Sequence, residues 1–213
     1  MEKAGKVIKN FVWCHYYPYL IGGGLFLVVL PLFVGLENLD IGQSAKVLEY
    51  WFSLLGLLLL FPLYLPDNDA AALAIIQSKR TSYRWIVCIR LALEVTFSLL
   101  FLGSLLFLMK HNNSSFPSLY FLVRGMATTL FLGGLSAVTF AVVRHPVPSM
   151  MVPFFYYLLN MMSKKEYFGY FDLFSIAQEN WLHCLVILGT GSLLLFISIL
   201  LTGSMTQNSI QLR

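Results

Sequence analysis

A chain of 213 residues that is 58% hydrophobic and only 11% charged lacks the roughly 25% of charged residues that keep an ordinary domain in water. Its mean hydropathy of +0.76 agrees, so the composition excludes a soluble globular domain and points to an integral membrane protein. The formal net charge of +4 then reports topology and attraction to an anionic leaflet rather than nucleic-acid binding.

The chain opens MEKAGKVIKNFVWCHYY, with Lys3, Lys6 and Lys9 at three-residue spacing and Val7, Ile8, Phe11, Val12 and Trp13 on nearby faces. This predicts an N-terminal interfacial amphipathic helix over residues 1–17, basic side to the headgroups. A plain basic anchor ahead of the first span is the simpler alternative.

A spanning helix needs roughly 20 mostly apolar residues, and six stretches qualify as candidates: Pro18–Leu36, Ser44–Leu65, Arg84–Met109, Ser118–Val143, Val147–Met162 and His183–Gly203. The predicted fold is all-α, a single polytopic transmembrane domain over residues 1–213. Runs such as SLLGLLLLFPLYL are continuously apolar, unlike the alternating segments of a membrane β-barrel. The first run is longer than a signal-peptide core and lacks a small-residue cleavage site, so it is expected to be retained. Gly22-Gly23-Gly24 within it suits close helix packing or a bend. The fifth stretch is short and proline-containing, and is expected to be tilted, broken or partly re-entrant.

Six spans put both termini on one side. That side carries Lys3, Lys6, Lys9, Lys79, Arg80, Arg84, Arg90, Arg144 and Arg213, against Lys46, Lys110, Lys164 and Lys165 opposite. The excess places both termini in the cytoplasm of a multi-pass cell-membrane protein. ENLDIGQSAKVLEYW reads as an outer loop, KHNNSSFP as a tight outer turn, and Arg144–Pro148 as a short cytoplasmic corner. Residues 163–182 alternate aromatic and polar side chains and read as an amphipathic element dipping into the outer interface.

Little in the chain asks for catalysis. Cys14, Cys88 and Cys184 are scattered, with no C-x-x-C pair, and indicate neither a disulfide framework nor a thiolate metal site. His15, His111, His145 and His183 share no metal-ligand spacing, so no metal site and no catalytic residue are assigned. No P-loop is present; AGKV lacks the rest of that motif. Two charges fall well inside spans, away from their first turns, where they cost a few kcal/mol and are functional suspects by default. Glu94 lies roughly 15 Å from the cytoplasmic end of the third span and either pairs with Arg90 one turn back or lines a polar cavity. Arg124 is nearer the outer end of the fourth and is expected to snorkel to the interface. A proton-coupled carrier would need more intramembrane acids or histidines than these.

The stretch from Pro66 to Arg90 interrupts this apolar chain. Asp67-Asn68-Asp69 supplies capping side chains and negative charge at a helix start, AAALAII supplies helix formers, and Ser78–Ser82 ends the helix with basic charge. The result, over residues 66–83, is a stubby cytoplasmic helix whose Leu73 and Ile76 need a cover. The stretch resembles the segment after the second span in ABC-2-type transporter permeases, with Pro66-Asp67, Ala70–Ile76, Ser78–Ser82 and Arg90 in matching slots. The family more often has Glu and Lys where Asp67 and Arg90 stand, and often a turn proline that is missing here.

The resemblance implies a coupling helix that docks into a separate P-loop ATPase subunit through Asp67, Asn68, Asp69, Leu73, Ile76, Gln77 and Arg80. It further implies that ATP and Mg are bound by that partner and no cofactor by this chain. A second permease copy or homologue would complete the pathway. The expected function is export of an amphipathic or hydrophobic cargo (a peptide, lipid-linked molecule or drug) from a bacterial cytoplasm. A non-transporting membrane immunity or assembly protein, and an intramembrane enzyme, remain the alternatives.

Overall fold

The computed structural model describes residues 11–68, 83–163 and 167–211, which form helices and short connections with no strand among them. Five helices are long and apolar enough to cross a bilayer: α1 (Tyr17–Val34), α2 (Ile41–Pro66), α3 (Tyr83–His111), α4 (Ser118–Val143), and Trp181–Thr202 of α6 (Trp181–Gln211). Helix α5, Pro146–Met162, has 17 residues, about 25 Å of rise, and falls short of that group. Five such helices indicate a membrane protein, and of the six expected spans Val147–Met162 is not among them. We call the end where α1 begins the N-side and the end where it finishes the far side.

Local chemistry explains the element ends. Helix α2 begins at Ile41, three residues before its apolar run, because Asp40 and Gln43 form a capping box in which Gln43 Oε1 accepts from the Asp40 N–H at 3.3 Å. Its turn Val47–Phe52 is π-wound, and its N-side end tightens into a 3₁₀ stretch, Phe61–Asn68, where Pro62 and Pro66 have no N–H to give. The connection after α1 is tied to the one after α3. Asn38 N–H donates to the Asn112 carbonyl at 2.9 Å, and the Ser114 hydroxyl donates to the Leu36 carbonyl at 3.1 Å.

Helix α4 is the centre of the bundle. It packs most extensively against α6, then against α2, α5 and α3, and glycines bring the backbones together. A Cβ added to Gly134 would lie 2.9 Å from the Gly191 carbonyl oxygen, and one added to Gly191 would lie 2.7 Å from Phe131 N. Helices in lipid associate by such close packing. The glycine triplet of α1 does not break its helix. A Cβ at Gly23 would meet Phe101 at 3.3 Å and Leu59 at 3.5 Å, whereas one at Gly24 would meet nothing within 4 Å. Packing, then, involves chiefly the middle glycine.

The outward faces are apolar. Leu25, Val28, Leu32 and Phe33 of α1 are exposed, Leu32 by 82%; a face of this kind is stable against acyl chains and a liability in water. Helix α5 runs beside α2 between Phe61 and Tyr50. Near the N-side Val147, Met150, Met151 and Phe154 line an apolar groove with Phe61, and toward the far side the Tyr157 hydroxyl donates to the Tyr50 carbonyl at 2.9 Å.

Of the interfacial helix predicted over 1–17, residues 1–10 lie outside the described residues. Val12–Tyr16 form a π-helical turn leading directly into α1, with Phe11 and Tyr16 buried rather than laid on a surface.

Candidate functional site

Buried polar groups are costly in a membrane bundle, so where they gather is where function is sought. Among the described residues they gather in two places.

The first is on the far side. The segment between α5 and α6, expected as an amphipathic element dipping into the outer interface, makes two short 3₁₀ turns, Gly169–Phe171 and Ile176–Gln178, and folds inward. Asp172, Leu173, Phe174, Ser175 and Ile176 are all buried, while Tyr167 and Tyr170 stay exposed. Arg124 reaches it from α4: its Nη2 donates to the Asp172 carbonyl at 2.7 Å and to the Ser175 hydroxyl at 3.1 Å. Arg124 stands six residues inside α4, about 9 Å from its far end, so the segment descends that deep.

Other helices hold the same segment. Asn160 of α5 uses both ends of its amide: Oδ1 accepts from Leu173 N–H at 3.0 Å and Nδ2 donates to the Phe171 carbonyl at 3.3 Å. From α2, Glu49 Oε1 accepts from Ile176 N–H at 2.7 Å. The Asp172 carboxylate accepts from Phe174 N–H at 2.9 Å. Glu49 lies in the π-wound turn, a feature frequent at functional sites. That turn also leaves the Tyr50 carbonyl to receive Tyr157. Glu49 and Asp172 are the acids whose charge bears on Arg124. Charge-assisted hydrogen bonds of this kind are about twice as strong as neutral ones.

The predicted snorkelling of Arg124 is therefore corrected. The side chain is fully buried because backbone carbonyl and hydroxyl acceptors are brought to it inside the bundle. Its Nε and Nη1 have no acceptor. Glu49, Asn160 and Ser175 were not singled out from the sequence, and Asp172 was read only as a polar residue of the outer element; the signal for Asn160 was a lone polar residue at the otherwise apolar end of a span.

The second cluster is on α3. Arg90, Glu94 and Ser98 lie one turn apart on its buried stripe. Arg90 Nη1 lies 3.5 Å from the Leu63 carbonyl, and its guanidinium sits 5.4 Å from the Phe11 ring centroid. Glu94 is fully buried, and neither of its carboxylate oxygens has a hydrogen-bond partner.

The structure thus brings Arg124 to a far-side knot and Glu94 to a separate cluster; it does not join them. Of the residues assigned to ATPase docking, the backbone of Asp67 and Asn68 closes the 3₁₀ end of α2. Asp69, Leu73, Ile76, Gln77 and Arg80, with the rest of 69–82, lie outside the described residues. No group of three or more His, Cys, Asp or Glu able to hold a metal ion occurs among the described residues.

Compared with models of known families, with curated proteins and with solved structures, the chain matches none.

Proposed function

We propose that the chain is the membrane-spanning permease subunit of an ATP-binding-cassette exporter, moving an amphipathic or hydrophobic cargo out of the cytoplasm with ATP hydrolysed on a separate subunit. The observation that carries this reading is the segment between α2 and α3. Helix α2 ends on the N-side in Pro66-Asp67-Asn68 and α3 starts there at Tyr83. The sequence between them has the capped, short-helical, basic-ended pattern of a coupling helix. With no P-loop of its own in the chain, ATP and Mg belong to the partner.

Three further features support the reading. Helix α5 runs beside α2 over the depth between Phe61 and Tyr50, which suits a sixth pass and returns both termini to the cytoplasm, as the distribution of Lys and Arg requires. The inward-folded segment before α6 gives the far side a closure tied to α2, α4 and α5. The groove of Phe61, Pro146, Val147, Met150, Met151 and Phe154 is apolar and methionine-rich, a lining that adapts to varied apolar guests.

The test is purification of the tagged chain in mild detergent from the cells that naturally make it. A P-loop ATPase is expected in the eluate. A folded chain that emerges without one favours the non-transporting reading instead.

A further inference from the structure

Three buried oxygen-bearing groups face one another between the N-terminal turn and α3. Tyr16, Glu94 and Ser98 are each fully buried. The Tyr16 hydroxyl, both Glu94 carboxylate oxygens and the Ser98 hydroxyl all lack a hydrogen-bond partner. They are nonetheless neighbours. Ser98 is one helical turn from Glu94, the Tyr16 ring lies 5.5 Å from that of Phe97, and the Glu94 charge bears on the Tyr16 phenol. The groups are close enough to feel one another but not close enough to bond directly.

An ionised carboxylate without donors costs several kcal/mol in a low-dielectric interior. Either a proton or water must compensate it. Two charged or titratable groups reach Glu94: Arg90 on its own helix and Tyr16 on the N-terminal turn. Arg90 is also engaged elsewhere, by the Leu63 carbonyl and the Phe11 ring. A metal ion fits poorly, because one carboxylate and two hydroxyls fall short of the roughly six oxygens that hard cations take.

We propose that Tyr16, Glu94 and Ser98 form a proton-binding site, hydrated from the N-side, in which the Glu94 carboxylate takes one proton from water to become a neutral carboxylic acid. The neutral acid is a donor as well as an acceptor and leaves no bare charge to desolvate, and the two hydroxyls reach it through water. Depth favours this ligand. Glu94 lies 11 positions, about 16 Å, inside Tyr83 at the N-side end of α3 and 17 positions, about 25 Å, from His111 at its far end. The site is therefore nearer the N-side than the far side, and the turn Val12–Tyr16 packs beside it. This is a resident proton, exchanged with one side, and no passage across the bilayer is implied.

Infrared difference spectroscopy of the protein in lipid vesicles tests the proposal. A protonated-carboxyl C=O band should appear on acidification, shift in D₂O and be lost in Glu94→Gln. It should change frequency in both Tyr16→Phe and Ser98→Ala, which keep the carboxyl and carry the test if Glu94→Gln does not fold. The proposal is overturned if the band is missing at every pH, if it does not respond to pH, or if it ignores both hydroxyl deletions.

Discussion

Arg124 on α4 holds the backbone carbonyl of Asp172 at 2.7 Å across a sequence separation of 48 residues. This contact, with the Ser175 hydroxyl beside it, makes a fully buried cation the anchor of the segment that closes the far side. The charge sits at the expense of its own solvation and is compensated by oriented carbonyl and hydroxyl dipoles and by the nearby acids Glu49 and Asp172. Breaking one member of such a set leaves the others buried and unmatched.

Replacing Arg124 by Gln removes two hydrogen bonds to a charged group, each worth about 1.5–3 kcal/mol, so a loss of about 3 kcal/mol or more is expected. Thermal unfolding in detergent should show it as a lower Tm. Limited proteolysis should show earlier cleavage in the connection between α5 and α6. Lys at this position keeps the charge but not the fork, and should recover less than half of the loss.

Asn160→Leu keeps the branched shape but leaves Leu173 N–H without its acceptor, at a cost of about 1–3 kcal/mol. Because Asn160 and Arg124 hold the same segment, the two losses should not add. A double-mutant cycle should give a coupling of about 0.5–3 kcal/mol, whereas strict additivity would mean the segment is not held as one unit.

The α4–α6 crossing leaves no room for a methyl group at Gly191, whose added Cβ would meet backbone atoms of Leu130 and Phe131. Gly191→Ala should cost about 1–3 kcal/mol through forced separation of the helices. Gly24→Ala in α1 is the contrasting case: the position is open, and alanine favours the helix by about 1 kcal/mol. It should be neutral or stabilising in the same unfolding assay.

In the proposed exporter, filling the apolar groove should hinder the cargo. Met150→Trp occupies space between α5 and Phe61, and we expect apolar probe binding and export to fall about tenfold, equivalent to ~1.4 kcal/mol, without loss of fold. Unchanged export would remove this groove from the pathway.

What the sequence made legible was whatever depends on local composition. Continuous apolar runs gave the five long helices to within a few residues, and Val147–Met162 was already marked by its prolines and length as different. The start of α2 was misread: residues 37–51 read as an outer loop, whereas the capping box of Asp40 and Gln43 begins the helix at Ile41. Arg124 was found as an intramembrane charge, yet its environment was misread. Its partners are a backbone carbonyl and a hydroxyl from a distant segment, and spacing along α4 carries no trace of them. The depth of that segment was hidden for the same reason. Aromatic and polar residues alternate there as they would on an interface, and only the donors of Arg124, the amide of Asn160 and the carboxylate of Glu49 draw it inward. The pairing of Glu94 with Arg90 was an i, i+4 expectation; the fold gives Arg90 other contacts through Leu63 and Phe11.

The central claim is that ATP hydrolysis on a partner is coupled to this chain through the segment after α2. The most direct measurement compares ATPase activity co-purifying with the native chain and with a variant carrying Asp67→Lys and Asp69→Lys. Vanadate-sensitive activity should accompany the native chain and be lost with the variant, while the variant unfolds at the native temperature. A folded native chain that brings down no ATPase, or a variant that retains full activity, would contradict the account.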